Sequence, residues 1–415
     1  SPTDNRTTNS HNNRSTGKEA IYIQVGAFSD RANARILKEK LASLSTHMVT
    51  VKHVVIDGRD LHRVLVGPIF HIDIADRIVA TLNIRLLTVV LFLQISGNLQ
   101  ADAGIIPAPP ELNASSWLLM DYDSGQVLAK NNIDNKLPPA SLTKIMTVYV
   151  AASELAEGHL SLSDVVTVSE KAWRTPGSRM FIEVNDKVTV EELLKGIIIQ
   201  SGNDASVALA EFIAGSEEVF ASQMNAQAKR LGMLDTHYMN STGLPHKNHY
   251  TTASDLAILA RAMIRDYPDI YSWHSIREYT YNKIKQNNRN NLLWRDNSVD
   301  GIKTGHTEEA GYCLVSSAQR DDMRLIAVVM GTDGSEARIK ASQSLLNYGF
   351  RFYETRKLYS SGETVTSVRI WKGDRETLAL GLDEDLFITV PRGQYRNLDA
   401  SVEKNGRIFA PVTRG

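Results

Sequence analysis

Three short groups of residues stand in order along the chain: Ser141-Leu142-Thr143-Lys144, Ser201-Gly202-Asn203 and Lys303-Thr304-Gly305. Together they carry the side chains needed for acyl transfer through a covalent serine ester. A serine hydroxyl is a weak nucleophile until a neighbouring base takes its proton. If Ser141 opens a helix, Lys144 lies on the same face one turn away, so the chain itself brings an amine beside the hydroxyl. The second group adds another hydroxyl and an amide. The third adds a cation, a hydroxyl and a glycine with no side chain to block a substrate. Ser-x-x-Lys alone, or Lys-Thr-Gly alone, is a weak signal; their order and company make it a strong one.

The surrounding residues predict the elements that must position these groups. Pro138-Pro139 prevent a helix from starting earlier, which places Ser141 at a helix N-terminus. Ile145, Val148, Tyr149, Ala152 and Leu155 continue one apolar face, and Gly158 ends it. A helix N-terminus offers free N–H groups and a positive dipole end where negative charge develops. Thr189 with Glu192 predicts a capping box for a helix running through Ile199. Trp117–Tyr122 and Gln126–Ala129, joined by Asp123-Ser124-Gly125, read as a hairpin. Val299–Thr304, Gly311–Ala318 and Met323–Gly331 read as sheet strands, with Arg320-Asp321-Asp322 turning between the last two and an apolar helix around Ala341–Phe352 following. Past Thr355, short strands such as Thr366–Trp371 and Leu386–Val390 predict a separate β-rich part.

Bulk properties narrow the classes. A length of 415 residues predicts two or three domains, and 42% apolar with 22% charged residues is ordinary for a globular chain. The net charge of −1 leaves no electrostatic footprint for nucleic acid. The one cysteine, Cys313, excludes an internal disulfide and a cysteine-based zinc site, and its apolar neighbours read it as a buried hydrophobe. His237, His246 and His249 show no metal spacing with an acidic partner, so neither metal nor cofactor is expected.

Residues 1–18 are polar without apolar period and read as a disordered tether. An alternating run, Ile21–Phe28, precedes a helical stretch with Ala32, Ile36, Leu37 and Leu41 on one side. Two strand-like runs, Met48–Ile56 and Leu61–Val66, then flank an Asp57-Gly58 turn. This order, with Gln24-Val25-Gly26-Ala27-Phe28 and Val66-Gly67-Pro68-Ile69-Phe70, resembles a SPOR domain over residues 19–83. That resemblance implies an α+β module binding glycan strands of peptidoglycan. The copy departs from its family after a helix expected over His71–Leu82, where the last strand gives way to an apolar run. Residues 84–103 hold Arg85, a short apolar core Leu86–Leu93 and Ala101-Asp102-Ala103, the three parts of a secretory signal peptide. Their internal position reads as the joining of two reading frames, an envelope protein's SPOR end and an exported precursor.

From about Pro107 onward the longer phrases Pro139–Thr147, Gln200–Ala205 and Asp300–Thr307 and the intervals between them resemble low-molecular-mass penicillin-binding proteins that act as D-alanyl-D-alanine carboxypeptidases. The resemblance implies an α/β (α+β) chain: a β-lactamase/transpeptidase-like catalytic domain over 104–355, a small β-rich C-terminal domain over 356–415, and the N-terminal SPOR-like segment. It implies Ser141 as nucleophile and Lys144 as base, neutralised in part by burial and by Lys303 nearby. Ser201 is expected to bridge Lys144 to the leaving amine, and Asn203 to bond substrate and position Lys144. Lys303, Thr304 and Gly305 belong to the substrate site, the first two holding a terminal carboxylate, and the resemblance adds Arg289 and Arg338. Backbone N–H groups of Ser141 and His306 are expected to form the oxyanion hole. The implied partners are peptidoglycan stem peptides, with β-lactam antibiotics as inhibitors, in the periplasm or cell envelope of a Gram-negative-type bacterium, peripheral to the inner membrane. The final residues Pro411–Gly415 carry no amphipathic anchor helix of the kind such proteins often have.

Two alternatives come from the same residues. A serine β-lactamase shares the acylation step, but class A enzymes deacylate through a glutamate after the second motif. Here no glutamate stands between Glu218 and Glu278, and the second motif is Ser-Gly-Asn. A catalytically silent peptidoglycan-binding envelope protein is opposed by the intact Ser141, Lys144, Ser201 and Lys303.

Overall fold

The alternating run Ile21-Tyr22-Ile23-Gln24-Val25 forms the start of β1 (Ile21–Phe28), followed by α1 (Arg31–Ala42), β2 (Val49–Ile56) and β3 (Arg59–Ile69). The computed structural model describes residues 21–28, 30–42, 49–56, 59–69, 106–397 and 408–410. The chain divides into two units, residues 1–90 with 413–415, and residues 91–412. In the first, β3 lies between β1 and β2 and pairs antiparallel with both. Ala34 and Leu37 of α1 close the sheet's core against Val49, Val64 and Val66. Ile36, expected on that face, is only half-buried; the helix is rotated so that the smaller Ala34 meets the sheet. The tether over residues 1–18, the Asp57-Gly58 turn, the helix expected over His71–Leu82 and the signal-like segment 84–103 lie outside the described residues.

The second unit begins with the hairpin β4 (Ser116–Asp121) and β5 (Val127–Asn131). A 3₁₀ turn at Ala140–Leu142 runs straight into α2 (Thr143–Ala156). The short hairpin β6 (Val165–Thr167) and β7 (Lys187–Thr189) leads to α3 (Val190–Lys195), α4 (Asn203–Ala214), α5 (Glu217–Leu231) and α6 (Ala253–Asp266). A second hairpin, β8 (Glu278–Tyr281) with β9 (Ile284–Asn287), precedes the strands β10 (Val299–Thr307), β11 (Gly311–Arg320) and β12 (Met323–Thr332) and the long helix α7 (Ser335–Phe352).

These strands make one antiparallel sheet in the order β10-β11-β12-β4-β5, so β10 is an edge strand. Leu325, Ala327 and Val329 of β12, with Leu314, Trp117 and Leu119, meet Ile339, Leu345 and Leu346 of α7 on one face. Side chains alternate between faces along a strand, yet Ile326, Val328 and Met330 are equally buried because α6 covers the other side. Each such side chain contributes about 1.5–3 kcal/mol by leaving water. A Cβ on Gly349 would come within 2.5 Å of Leu325 Cδ1, so glycine there lets α7 lie close against the sheet. Helix α2 is buried from Thr143 to Ser153, all round its circumference, which makes it the axis of the helical layer.

The β-rich C-terminal part pairs β13 (Tyr353–Tyr359) with β16 (Leu386–Pro391), and β14 (Thr364–Trp371) with β15 (Thr377–Gly381) and β17 (Ile408–Phe409). The buried Asp121 carboxylate joins it to the large sheet. It accepts hydrogen bonds from Ser124 Oγ at 2.7 Å and Thr355 Oγ1 at 2.6 Å, and Thr389 Oγ1 lies 2.6 Å from Ser124 Oγ. Among the described residues, no helix is long and apolar enough to cross a membrane.

Candidate active site

Lys144 is fully buried and its Nζ donates three hydrogen bonds: to Ser141 Oγ at 3.0 Å, Asn203 Oδ1 at 2.6 Å and the Thr242 carbonyl at 2.6 Å. The 3₁₀ turn carries Ser141 and the first turn of α2 carries Lys144, so the expected neighbourhood of the two is met by local geometry. The amide of Asn203 is oriented by its other end, where Nδ2 donates to the Pro176 carbonyl at 2.6 Å. Burial lowers the Lys144 amine to about 7, against the carboxylates of Asp204 and Glu217, which pull it upward. Full enclosure of the amine is the main cause, and the repulsion expected between Lys144 and Lys303 falls on Lys303.

This arrangement decides what the neutral amine does. A neutral lysine has two N–H donors and one lone pair. Asn203 Oδ1 and the Thr242 carbonyl can only accept, so they take both N–H groups. The lone pair is left facing the hydroxyl of Ser141, the geometry a general base requires.

The capping box forms as expected: Thr189 Oγ1 accepts from Glu192 N, and Glu192 Oε2 accepts from Thr189 N at 2.9 Å. Helix α3 then widens into a π turn at Gly196–Gln200, which ends on Ser201 in the left-handed region at φ 66°. A wider turn of this kind re-aims the residue that follows it. Ser201 is buried and is not among the hydrogen-bond partners of Lys144. The next helix is capped by Gly202 with no side-chain bond, so Ser201 and Asn203 are not spent on capping.

On the edge strand β10, Lys303 is 2% exposed and donates to the Thr304 carbonyl at 3.1 Å. Burial holds its amine well below the usual lysine range, and the charges of Lys144, Arg289 and Arg338 add to that. Among the described residues, neither Lys303 nor Arg338 pairs with a carboxylate. Thr304 is buried, and His306 is exposed with its ring 3.9 Å from that of Tyr312. Gly305 also meets a need of the fold itself. A Cβ there would meet the Pro139 carbonyl at 3.0 Å, Leu142 Cγ at 3.2 Å and Ala140 Cβ at 3.3 Å. Its missing side chain makes room for the turn that carries Ser141. Arg338 turns its guanidinium to the carbonyls of Gly305 at 3.0 Å and Cys313 at 3.4 Å, which fixes β10, and its buried Nε has no partner. Arg289 is exposed, lining with Gln200 and Arg338 a cavity of about 450 Å³. Among the described residues no group of His, Cys, Asp and Glu could hold a metal ion. Cys313 is fully buried and its thiol is pushed up to about 11, as a structural cysteine would be.

Four contributors had no reading as site residues. Thr242 acts through a backbone carbonyl. Glu217 Oε1 accepts from Ser241 N at 3.1 Å and Oγ at 2.8 Å and so holds that carbonyl's turn. His249, kept neutral by burial with a pKa near 4, lies 2.9 Å from Thr143 Oγ1. Asp204, fully buried, accepts from Met180 N at 2.9 Å and Phe181 N at 3.0 Å. Of these only Asp204 gave a signal, as the acid directly after Ser201-Gly202-Asn203.

The family model for D-alanyl-D-alanine carboxypeptidase matches residues 104–334, that for the penicillin-binding protein 5 C-terminal domain matches 353–415, and that for the SPOR domain matches 17–86. A D-alanyl-D-alanine carboxypeptidase, DacC of Escherichia coli (strain K12), is 47% identical over 74% of this chain and 78% of its own. DacF of Bacillus subtilis (strain 168) is 40% identical over 73% of this chain and 79% of its own. The crystal structure of penicillin-binding protein 5 from Haemophilus influenzae superposes with a TM-score of 0.72 at 42% identity, covering 74% of this chain and 90% of that one. Penicillin-binding protein D2 from Listeria monocytogenes, solved in an ampicillin-bound form, gives a TM-score of 0.55 at 29% identity over 59% of this chain and 100% of that one.

Proposed function

The chain belongs to the D-alanyl-D-alanine carboxypeptidase family, a family of peptidases, and on that premise we propose that it removes the terminal D-alanine from peptidoglycan stem peptides through an acyl-enzyme on Ser141. The observation that carries this reading is the buried Lys144 amine, whose lone pair, once neutral, faces Ser141 Oγ at 3.0 Å. In the acylation step the Ser141 hydroxyl proton passes to Lys144 as Oγ bonds to the carbonyl carbon of the scissile peptide. The resulting oxyanion is received by the backbone N–H groups of Ser141 and His306, where fixed donors stabilise charge without reorganising. The C–N bond then breaks, and the departing amine takes a proton delivered by the Ser201 hydroxyl, which is re-supplied from Lys144. Water, with Lys144 again accepting a proton, hydrolyses the ester.

Lys303 and Thr304 hold the terminal carboxylate of the substrate, with Arg289 and Arg338 adding positive potential. An anion arriving there enters a group of cations that have no carboxylate partners among the described residues, which favours binding. β-Lactams acylate the same serine. The SPOR-like segment binds glycan strands, which keeps the enzyme at its substrate in the bacterial envelope, on the periplasmic side.

The test is covalent labelling. Protein treated with fluorescent penicillin should gain one drug mass, mapped by peptide analysis to the peptide containing Ser141, and Ser141→Ala should take up none. Label on another serine, or none on folded wild type, would overturn the mechanism.

A further inference from the structure

We propose that Phe181 and Ile284 form an apolar subsite for the side chain of the substrate's C-terminal residue and so set which amino acid the enzyme releases. The proposal rests on the carboxypeptidase reading and adds residues to it.

Phe181 stands in the left-handed region at φ 70°, a strained conformation that a bulky side chain rarely adopts. The surroundings hold it there. The buried Asp204 carboxylate accepts from the N–H groups of Met180 and Phe181, and Gln286 Nε2 donates to the Met180 carbonyl at 3.0 Å. Met180 and Ile182 on either side are buried. The outcome of this clamping is a ring turned outward and 48% exposed, so the strain is not offset by packing of the ring itself. Strain maintained by neighbours without a packing gain points to a use.

That ring, with the exposed Ile284 on the opposite hairpin, lines the same cavity of about 450 Å³ as Arg289, Arg338 and Gln200. The carboxylate and the side chain of a C-terminal residue branch from one Cα. Lys303, which holds the carboxylate, does not itself line the cavity, but Arg289 and Arg338, whose charges reach Lys303, do, so the side chain branching from the same Cα is brought toward it, beside an apolar wall in otherwise polar surroundings. The cavity is far larger than a methyl group, so selectivity arises from contact with the wall rather than from exclusion by size. One methyl placed against an apolar wall is worth about tenfold or more in kcat/KM.

The experiment compares acylated tripeptides ending in D-Ala-D-Ala, D-Ala-Gly and D-Ala-D-Leu on the full-length protein, with penicillin acylation measured on the same samples. Wild type should prefer terminal D-Ala to Gly by about tenfold and also release D-Leu. Phe181→Ala and Ile284→Ala should each lower the D-Ala to Gly ratio by about threefold or more, and Phe181→Leu should largely restore it. Because the ratio compares two peptides on one protein, any loss common to both cancels. Should Phe181→Ala fail to fold, Ile284→Ala on the exposed hairpin carries the same test. A ratio unchanged in both alanine variants would overturn the subsite. Wild type that forms no penicillin adduct would instead overturn the underlying carboxypeptidase reading.

Discussion

A lysine that must act as a base is an expensive core residue, and Lys144→Met measures that cost through pH. Burial lowers the amine from 10.5 to about 7 in the folded protein, while the unfolded chain keeps the ordinary value. Between those two pH values the unfolded state binds the extra proton, so folded wild type gains stability as pH rises. Below about 7 the penalty is fully present, on the order of 5 kcal/mol from 1.36 kcal/mol per pK unit. Methionine fills nearly the same volume and removes that penalty, but it leaves Asn203 Oδ1 and the Thr242 carbonyl without a donor, at about 1–3 kcal/mol each. The absolute difference between the two proteins is therefore small and uninformative. The slope is not. From pH 7 to pH 9 wild type should gain about 2 kcal/mol relative to Lys144→Met from the titration of the Lys144 amine itself. Denaturant unfolding of both proteins at the two pH values gives this difference directly. Penicillin acylation of wild type should meanwhile rise about tenfold per pH unit up to about 7 and then level off. Parallel stability curves, or acylation flat from pH 5 to 8, would show that Lys144 remains an ordinary charged lysine and refute the base assignment.

Two further predictions concern the edge strand. Lys303→Ala should lower kcat/KM for a free-acid D-Ala-D-Ala peptide by about ten- to a hundredfold, the value of a hydrogen bond to a charged group, and should spare the corresponding C-terminal amide. Wild type that cleaves acid and amide equally well would remove Lys303 from carboxylate recognition. Gly305→Ala should cost about 1–3 kcal/mol of stability, because its Cβ meets the Pro139 carbonyl at 3.0 Å and backbone cannot turn aside. It should also slow acylation more than tenfold by shifting β10 from the Ser141 turn. Stability measured by thermal unfolding alongside an unchanged acylation rate would show that strand and turn are not coupled.

What the sequence made legible follows the range over which each relation acts. Ser141 and Lys144 are joined by one helical turn, and Thr189 with Glu192 by one capping box, so residue types and spacing were enough to place them. The strands of the large sheet were legible too, from their apolar runs, although β10 continues to Thr307, past the point where Gly305 and His306 end its apolar character. Partners that act through tertiary structure left weaker marks. Asn203 stood out as a motif residue, but its bond to Lys144 depends on α4 packing against α2. The Thr242 carbonyl takes one N–H of Lys144, and a backbone oxygen has no residue type to betray it. Its turn is stabilised by Glu217, which in sequence is only one more acid at the start of a helix. Gly305 was legible as a requirement for space, yet sequence could not say whose: the close neighbours are protein atoms of the Pro139–Leu142 turn. Ser201 owes its place to a π turn, which no residue pattern in Gly196–Gln200 announces. The reagents of the reaction are side chains, and a motif records side chains. The alignment of the lone pair on Ser141 is enforced by acceptors that a motif does not contain, which is why replacing Lys144 tests more of this site than replacing any residue around it.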